Sequence, residues 1–76
     1  MEPTPLPSHI HYELLLQLLE RKTASAVGHQ PLLQDQVQEL IVTLRKALAQ
    51  QKQLEESLQR ANQSIDYCWS LNYPRP

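Results

Sequence analysis

The sequence contains a single cysteine and no apolar run longer than three residues. One cysteine cannot form an internal disulfide, and this usage is typical of a reducing compartment, so we expect an intracellular protein of the cytoplasm or nucleus. A membrane-spanning helix needs about 20 consecutive apolar residues, and the N-terminus lacks the charged and then apolar pattern of a signal peptide. The sequence therefore predicts a soluble chain without membrane insertion.

The sequence also lacks an excess of charge of one sign, because it contains seven Lys and Arg residues and eight Asp and Glu residues. Without a basic stripe we expect no direct nucleic-acid binding. The chain has one glycine, so it has no glycine-rich phosphate loop, and it has no nucleophile motif. His9 and His11 point to different sides of a helix, and Cys68 has no cationic neighbour to activate its thiol. We therefore predict no enzymatic activity, no cofactor and no metal site.

The sequence does have a long stretch, Leu33 to Cys68, without glycine or proline and with apolar residues at a period of seven. This period keeps the apolar side chains on one side of a helix and is typical of a coiled-coil seam. Position g is neutral throughout, which suits packing of three or more helices. Position a holds Val37, Leu44, Gln51, Leu58 and Ile65, and position d holds Leu33, Leu40, Ala47, Leu54, Ala61 and Cys68.

The fold class predicted from these patterns is all-α: an αα-hairpin whose short first helix and long second helix form part of a coiled coil or helical bundle with partner chains. Ser8 is a suitable N-cap, Gly28 suits a left-handed residue at a helix end, and Pro31 suits the first turn of the next helix. The predicted segments are a proline-rich flexible tail (1–7), a first helix (8–27), a turn (28–30), a long coiled-coil helix (31–72) and a C-terminal tail (73–76).

The first helix is too short to cover the second beyond about Gln50, so the distal seam needs an apolar surface from elsewhere. Gln51 in this seam is either a buried residue that fixes register or a residue at a hydrated break. The aromatic residues near the C-terminus are candidates for a docking hot spot, with a local cap as the alternative. The predicted partner-binding residues are Leu44, Gln51, Leu54, Leu58, Ala61, Ile65, Cys68, Trp69 and Tyr73.

These patterns favour a non-enzymatic structural subunit of a multi-protein complex, assembled with other helical protein chains as a hetero-oligomer in preference to a homo-oligomer. One alternative is a homo-oligomeric regulatory adaptor that recruits a client through its proline-rich tail or aromatic tip. Another is a mostly disordered peptide that folds only on its target.

Overall fold

The computed structural model describes residues 2–68 and residue 71, and most of these residues are helical. A short strand precedes the first helical segment, and a second strand follows the long helix. The elements in chain order are β1 (Thr4–Pro7), α1 (His9–Leu18), a π-helical turn (Leu19–Thr23), α2 (Ala24–Ala26), α3 (Pro31–Arg60) and β2 (Ile65–Cys68).

The first helical segment begins where its capping signal predicts. The Ser8 hydroxyl accepts a hydrogen bond from the Ile10 amide at 3.3 Å and so satisfies one of the unpaired donors of the first turn. Its other end differs from the prediction, because Gly28 does not adopt a positive φ. The Gly28 amide instead bonds to the Ser25 carbonyl, and Pro31 then opens α3.

The two helical segments run antiparallel, as predicted for an αα-hairpin. His9 at the start of α1 contacts Glu55 near the end of α3, whereas Glu20 in the π-helical turn pairs with Arg45 further back along α3. The prediction of a short helix packed beside a long helix is therefore confirmed. A coiled coil with partner chains stays a prediction.

The long helix ends at Arg60, so its predicted extension through residues 61–68 is wrong. Asn62 adopts a left-handed conformation with φ 59°. The Asn62 amide bonds to the Gln59 carbonyl, and the Gln63 amide bonds to the Leu58 carbonyl at 2.8 Å. This pattern of bonds is a Schellman motif, in which asparagine is accepted as the left-handed residue. It satisfies the last helical carbonyls and turns the chain out of the helix.

The segment after this turn forms a parallel sheet with the N-terminal segment, so neither the all-α prediction nor the free tail is correct. Thr4 pairs with Ile65 and Pro7 with Cys68, and the Thr4 amide donates to the Ser64 carbonyl at 2.9 Å. Pro5 and Pro7 lack an amide hydrogen, which an edge strand tolerates because its outer side needs no donor. The proline-rich tail is therefore extended, as its composition predicts, but paired.

Little of the described chain is buried. Only Ile41, Gln51 and Glu55 are buried, and Ile41 is the one apolar residue among them. The radius of gyration is 16.1 Å, compared with about 11 Å for a compact chain of this length. The chain therefore forms an elongated pair of helices with a sheet at one end. No helix in the described part of the chain combines the length and apolarity that crossing a bilayer requires.

Candidate functional site

The clearest cluster of interacting side chains surrounds Glu55 on α3. The Tyr67 hydroxyl donates to Glu55 Oε1 at 2.6 Å, and His9 Nε2 lies 2.6 Å from Glu55 Oε2. Gln51 Nε2, one helical turn earlier, donates to the same Oε2 at 3.1 Å and to the Pro7 carbonyl at 2.6 Å. An ionised carboxylate only accepts hydrogen bonds, so His9 donates through Nε2 here. We call these four side chains and the Pro7 carbonyl the Glu55 cluster.

The surroundings of Glu55 favour its ionised form. Burial is the largest single influence and acts to raise the pKa of Glu55, but the hydrogen bonds from Tyr67, His9 and Gln51 and the charge of His9 together outweigh it. The net effect holds the pKa of Glu55 below its usual value of 4.5. The pKa of Tyr67 is raised above 10.0, first by its hydrogen bond to Glu55 and then by burial and the Glu55 charge.

The Glu55 cluster connects both strands with α1 and α3. Pro7 belongs to β1, His9 to α1, Gln51 and Glu55 to α3, and Tyr67 to β2. Both carboxylate oxygens already accept hydrogen bonds from neighbouring side chains. In the described part of the chain, no three His, Cys, Asp or Glu residues are grouped so that they could hold a metal ion. The hydrogen bonds of the cluster therefore hold the sheet against the helices.

Sequence reasoning missed His9, Glu55 and Tyr67 as members of a common site. Glu55 occupies position e, in line with Ile41 and the half-buried Leu48. A carboxylate on an otherwise covered row needs donors, because burying an unpaired charge is costly. The position of Glu55 in this row was visible in the sequence. It did not identify the donors His9 and Tyr67, which lie near opposite ends of the chain.

The predicted partner-binding residues that the structure describes differ in burial, and their role stays a prediction. Gln51 is buried, and its amide is used within its own chain. Trp69 and Tyr73 lie outside the described residues. The helix prediction is wrong at Ile65 and Cys68, which lie on β2, and at Ala61, which caps α3. Half-buried positions are Leu44, Leu58, Ile65 and Cys68, whereas Leu54 and Ala61 are exposed.

The two sides of the predicted seam differ in burial along α3. Positions a and e are mostly half-buried or buried, because they face α1 and the sheet, whereas Leu33, Leu40 and Leu54 at position d are exposed. Position g, which lies beside d on a helix, is exposed and uncharged. We call the resulting stripe the d/g face. It consists of Leu33, Gln36, Leu40, Thr43, Ala47, Gln50, Leu54 and Ser57, of which only Ala47 is half-buried.

The first helical segment adds further uncovered apolar residues. Leu14 is 64% exposed, and Ile10, Leu15 and Leu18 are exposed as well. The wide apolar arc of this helix predicted that several helices enclose it, but within the described chain α3 alone packs along it. At 100° per residue, Leu15 lies on the same side of the hairpin as the d/g face. The hairpin thus presents apolar residues from both helices on one side.

These features define a class of small protein, an antiparallel helical hairpin tied at one end by a two-stranded parallel sheet. The chain belongs to the family of unknown function DUF5340, which it matches over residues 1–70. A relative from Anabaena cylindrica carries the name "Uncharacterized 9.3 kDa protein in soluble hydrogenase 5'region". It is 58% identical over 73 residues, which cover 96% of this chain and 89% of the relative. No solved structure matches the chain.

Proposed function

We propose that the chain is a non-enzymatic structural subunit that assembles with other helical chains through the d/g face of α3. The observation that carries this proposal is the exposed d row of a long helix whose a and e rows are covered. Leu40 at the middle of the row is 52% exposed, and Leu54 is 46% exposed. Removing apolar surface of this kind from water is the main driving force of helix association.

The layered construction of folded domains supports the same proposal. Stable domains usually bury apolar faces between at least two packed layers of secondary structure. Here two helical segments lie side by side, and one buried apolar residue, Ile41, forms the core of the described chain. A second layer supplied by another chain would bury Leu15 and Leu18 together with the d/g face.

The alternative of an adaptor that recruits a client through its tail has less support. Residues 4–7 pair with β2, and the Pro7 carbonyl accepts a hydrogen bond from Gln51, so this segment is engaged within its own chain. An enzyme also has less support, because the donors around Glu55 occupy both of its oxygens. The proposal includes an intracellular, reducing location, which the use of one cysteine supports.

The experiment that tests this function is fractionation of a cell extract that contains the tagged chain at its native level. We expect the chain to elute in an assembly larger than a monomer, and Leu40→Asp to shift it to the monomer position. Val42→Asp is the matched control, because Val42 is 48% exposed and lies about 160° around α3 from Leu40. Elution of the unaltered chain as a monomer would refute the proposal, as would equal effects of the two substitutions.

A further inference from the structure

We infer that the chain packed against the d/g face is a second copy of this chain, running antiparallel about a two-fold axis next to Thr43. This inference rests on the proposed function and names its partner. The expectation of a foreign helix came from the distal seam, for which the first helix was too short. In the structure the sheet covers Gln51 and Glu55 in that region and leaves Leu54 exposed, as Leu33 and Leu40 are further back along α3. The shortness of the first helix is therefore no longer an argument for a foreign helix.

The spacing of the d row makes the face complementary to itself. Its residues recur every seven positions, so two antiparallel copies can be aligned with every d residue facing another. One alignment uses the whole row, with Leu33 opposite the partner's Leu54 and Leu40 opposite the partner's Ala47. At the centre of this alignment a large side chain meets a small one, which allows close packing of the two helices.

Charges beside the face select the same alignment. Glu39 and Lys46 occupy position c, which borders position g, and both are exposed. In the alignment centred next to Thr43, Glu39 lies beside the partner's Lys46, and the two-fold axis repeats this pair. A shift by one heptad in either direction brings two Glu39 side chains or two Lys46 side chains together. Like charges repel, so either shifted alignment is disfavoured.

The remainder of the face is compatible with contact between two copies. Position g contributes Gln36, Thr43, Gln50 and Ser57, none of which carries a charge. The Thr43 and Ser57 hydroxyls donate to carbonyls one turn back on α3, so they bring no unpaired donor into an interface. Leu15 and Leu18 of α1 extend the apolar area at the edge. The product is a four-helix arrangement made from two hairpins.

Disulfide cross-linking tests the orientation directly. Thr43→Cys, in a chain that also carries Cys68→Ser, places the only thiol next to the two-fold axis. We expect mild oxidation to convert most of this variant to a covalent dimer. Gln50→Cys in the same background is the matched control, since the two Gln50 positions lie ~20 Å apart along the helix axes. A disulfide requires Cα atoms within about 7 Å, so this control should remain uncross-linked.

Charge exchange tests the alignment. Glu39→Lys replaces two attractive contacts with two repulsive ones and should raise the dimer dissociation constant about tenfold at low salt, given the modest strength of exposed ion pairs. Lys46→Glu should do the same. The double variant with Glu39→Lys and Lys46→Glu restores opposite charges and should return the constant to within about twofold of its starting value. Light scattering coupled to size-exclusion chromatography measures each constant.

Each outcome has a defined meaning. Cross-linking at residue 43 without cross-linking at residue 50, together with rescue by the double charge variant, supports the inference. Equal cross-linking at both positions indicates parallel packing and overturns it. A purified chain that stays monomeric also overturns it. In that case the proposed function still stands if the extract shows a larger assembly sensitive to Leu40→Asp, and it fails as well if the extract shows a monomer.

Discussion

Tyr67→Phe should measure how strongly the Glu55 cluster holds the sheet against the helices. The substitution removes one hydroxyl, which donates at 2.6 Å to Glu55 Oε1, and leaves the ring in place. Hydrogen bonds to charged groups contribute about 1.5–3 kcal/mol. Because Tyr67 is 42% exposed, water can replace part of the lost bond. We therefore expect the free energy of unfolding to fall by about 1–2 kcal/mol.

Urea unfolding, monitored by far-ultraviolet circular dichroism, measures this difference. The unaltered protein and the Tyr67→Phe variant are compared at the same protein concentration, so that association affects them equally. Tyr12→Phe is the matched control, since the Tyr12 hydroxyl makes no hydrogen bond to any described residue. The control should change the free energy of unfolding by less than about 0.5 kcal/mol. Equal effects of the two substitutions would refute the role assigned to the cluster. The effect of Tyr67→Phe should also shrink as the pH falls through the pKa of Glu55, below 4.5.

Three further predictions concern the same region. Gln51→Leu should lower the free energy of unfolding by about 1–3 kcal/mol, because it removes the hydrogen bonds that Gln51 donates to the Pro7 carbonyl and to the buried Glu55 carboxylate; an unchanged or higher urea midpoint would contradict this. Asn62→Ala should cost about 1 kcal/mol and Asn62→Gly should cost less, since alanine resists the left-handed conformation; stabilisation by alanine would instead indicate a helix that continues. Thermal unfolding across pH should show two losses of stability. The depressed pKa of Glu55 contributes stability above 4.5 that is lost as pH falls through its folded value, and the raised pKa of Tyr67 contributes stability below 10.0 that is lost as pH rises through its folded value. A stability that does not change across these two ranges would count against the cluster.

The helices could be predicted from the sequence because their signals are local. Ser8 caps the first helix, Pro31 opens the second, and the short connection between them returns the chain antiparallel. Each of these features depends on residues within one or two turns of each other. The apolar period supplied one further feature, since it identified position a, which is buried or half-buried along α3.

The end of α3 could not be predicted from the same period. The apolar pattern continues through Ala61, Ile65 and Cys68, but the chain leaves the helix at Asn62. A seven-residue pattern records which residues are apolar, and a strand can bury them as well as a helix can. The deciding interactions are the pairing of Thr4 with Ile65 and the hydrogen bond from Tyr67 to Glu55, and both join residues distant in sequence.

For a related reason, only part of the candidate site could be predicted from the sequence. The heptad pattern indicated a and d as the packing positions, whereas the hairpin covers a and e and leaves d exposed. Which flank of an apolar stripe becomes covered depends on where the first helix lies across it. Ile41 and Leu48 at position e carried this information, because they widen the stripe on the side that α1 occupies.

Sedimentation equilibrium of the purified chain over a range of concentrations tests the central claim that two copies of this chain assemble through the d/g face. We predict a reversible dimer for the unaltered chain and for Val42→Asp, and a monomer with unchanged helix content for Leu40→Asp. A monomer at every concentration, or a dimer that survives Leu40→Asp, would contradict the account.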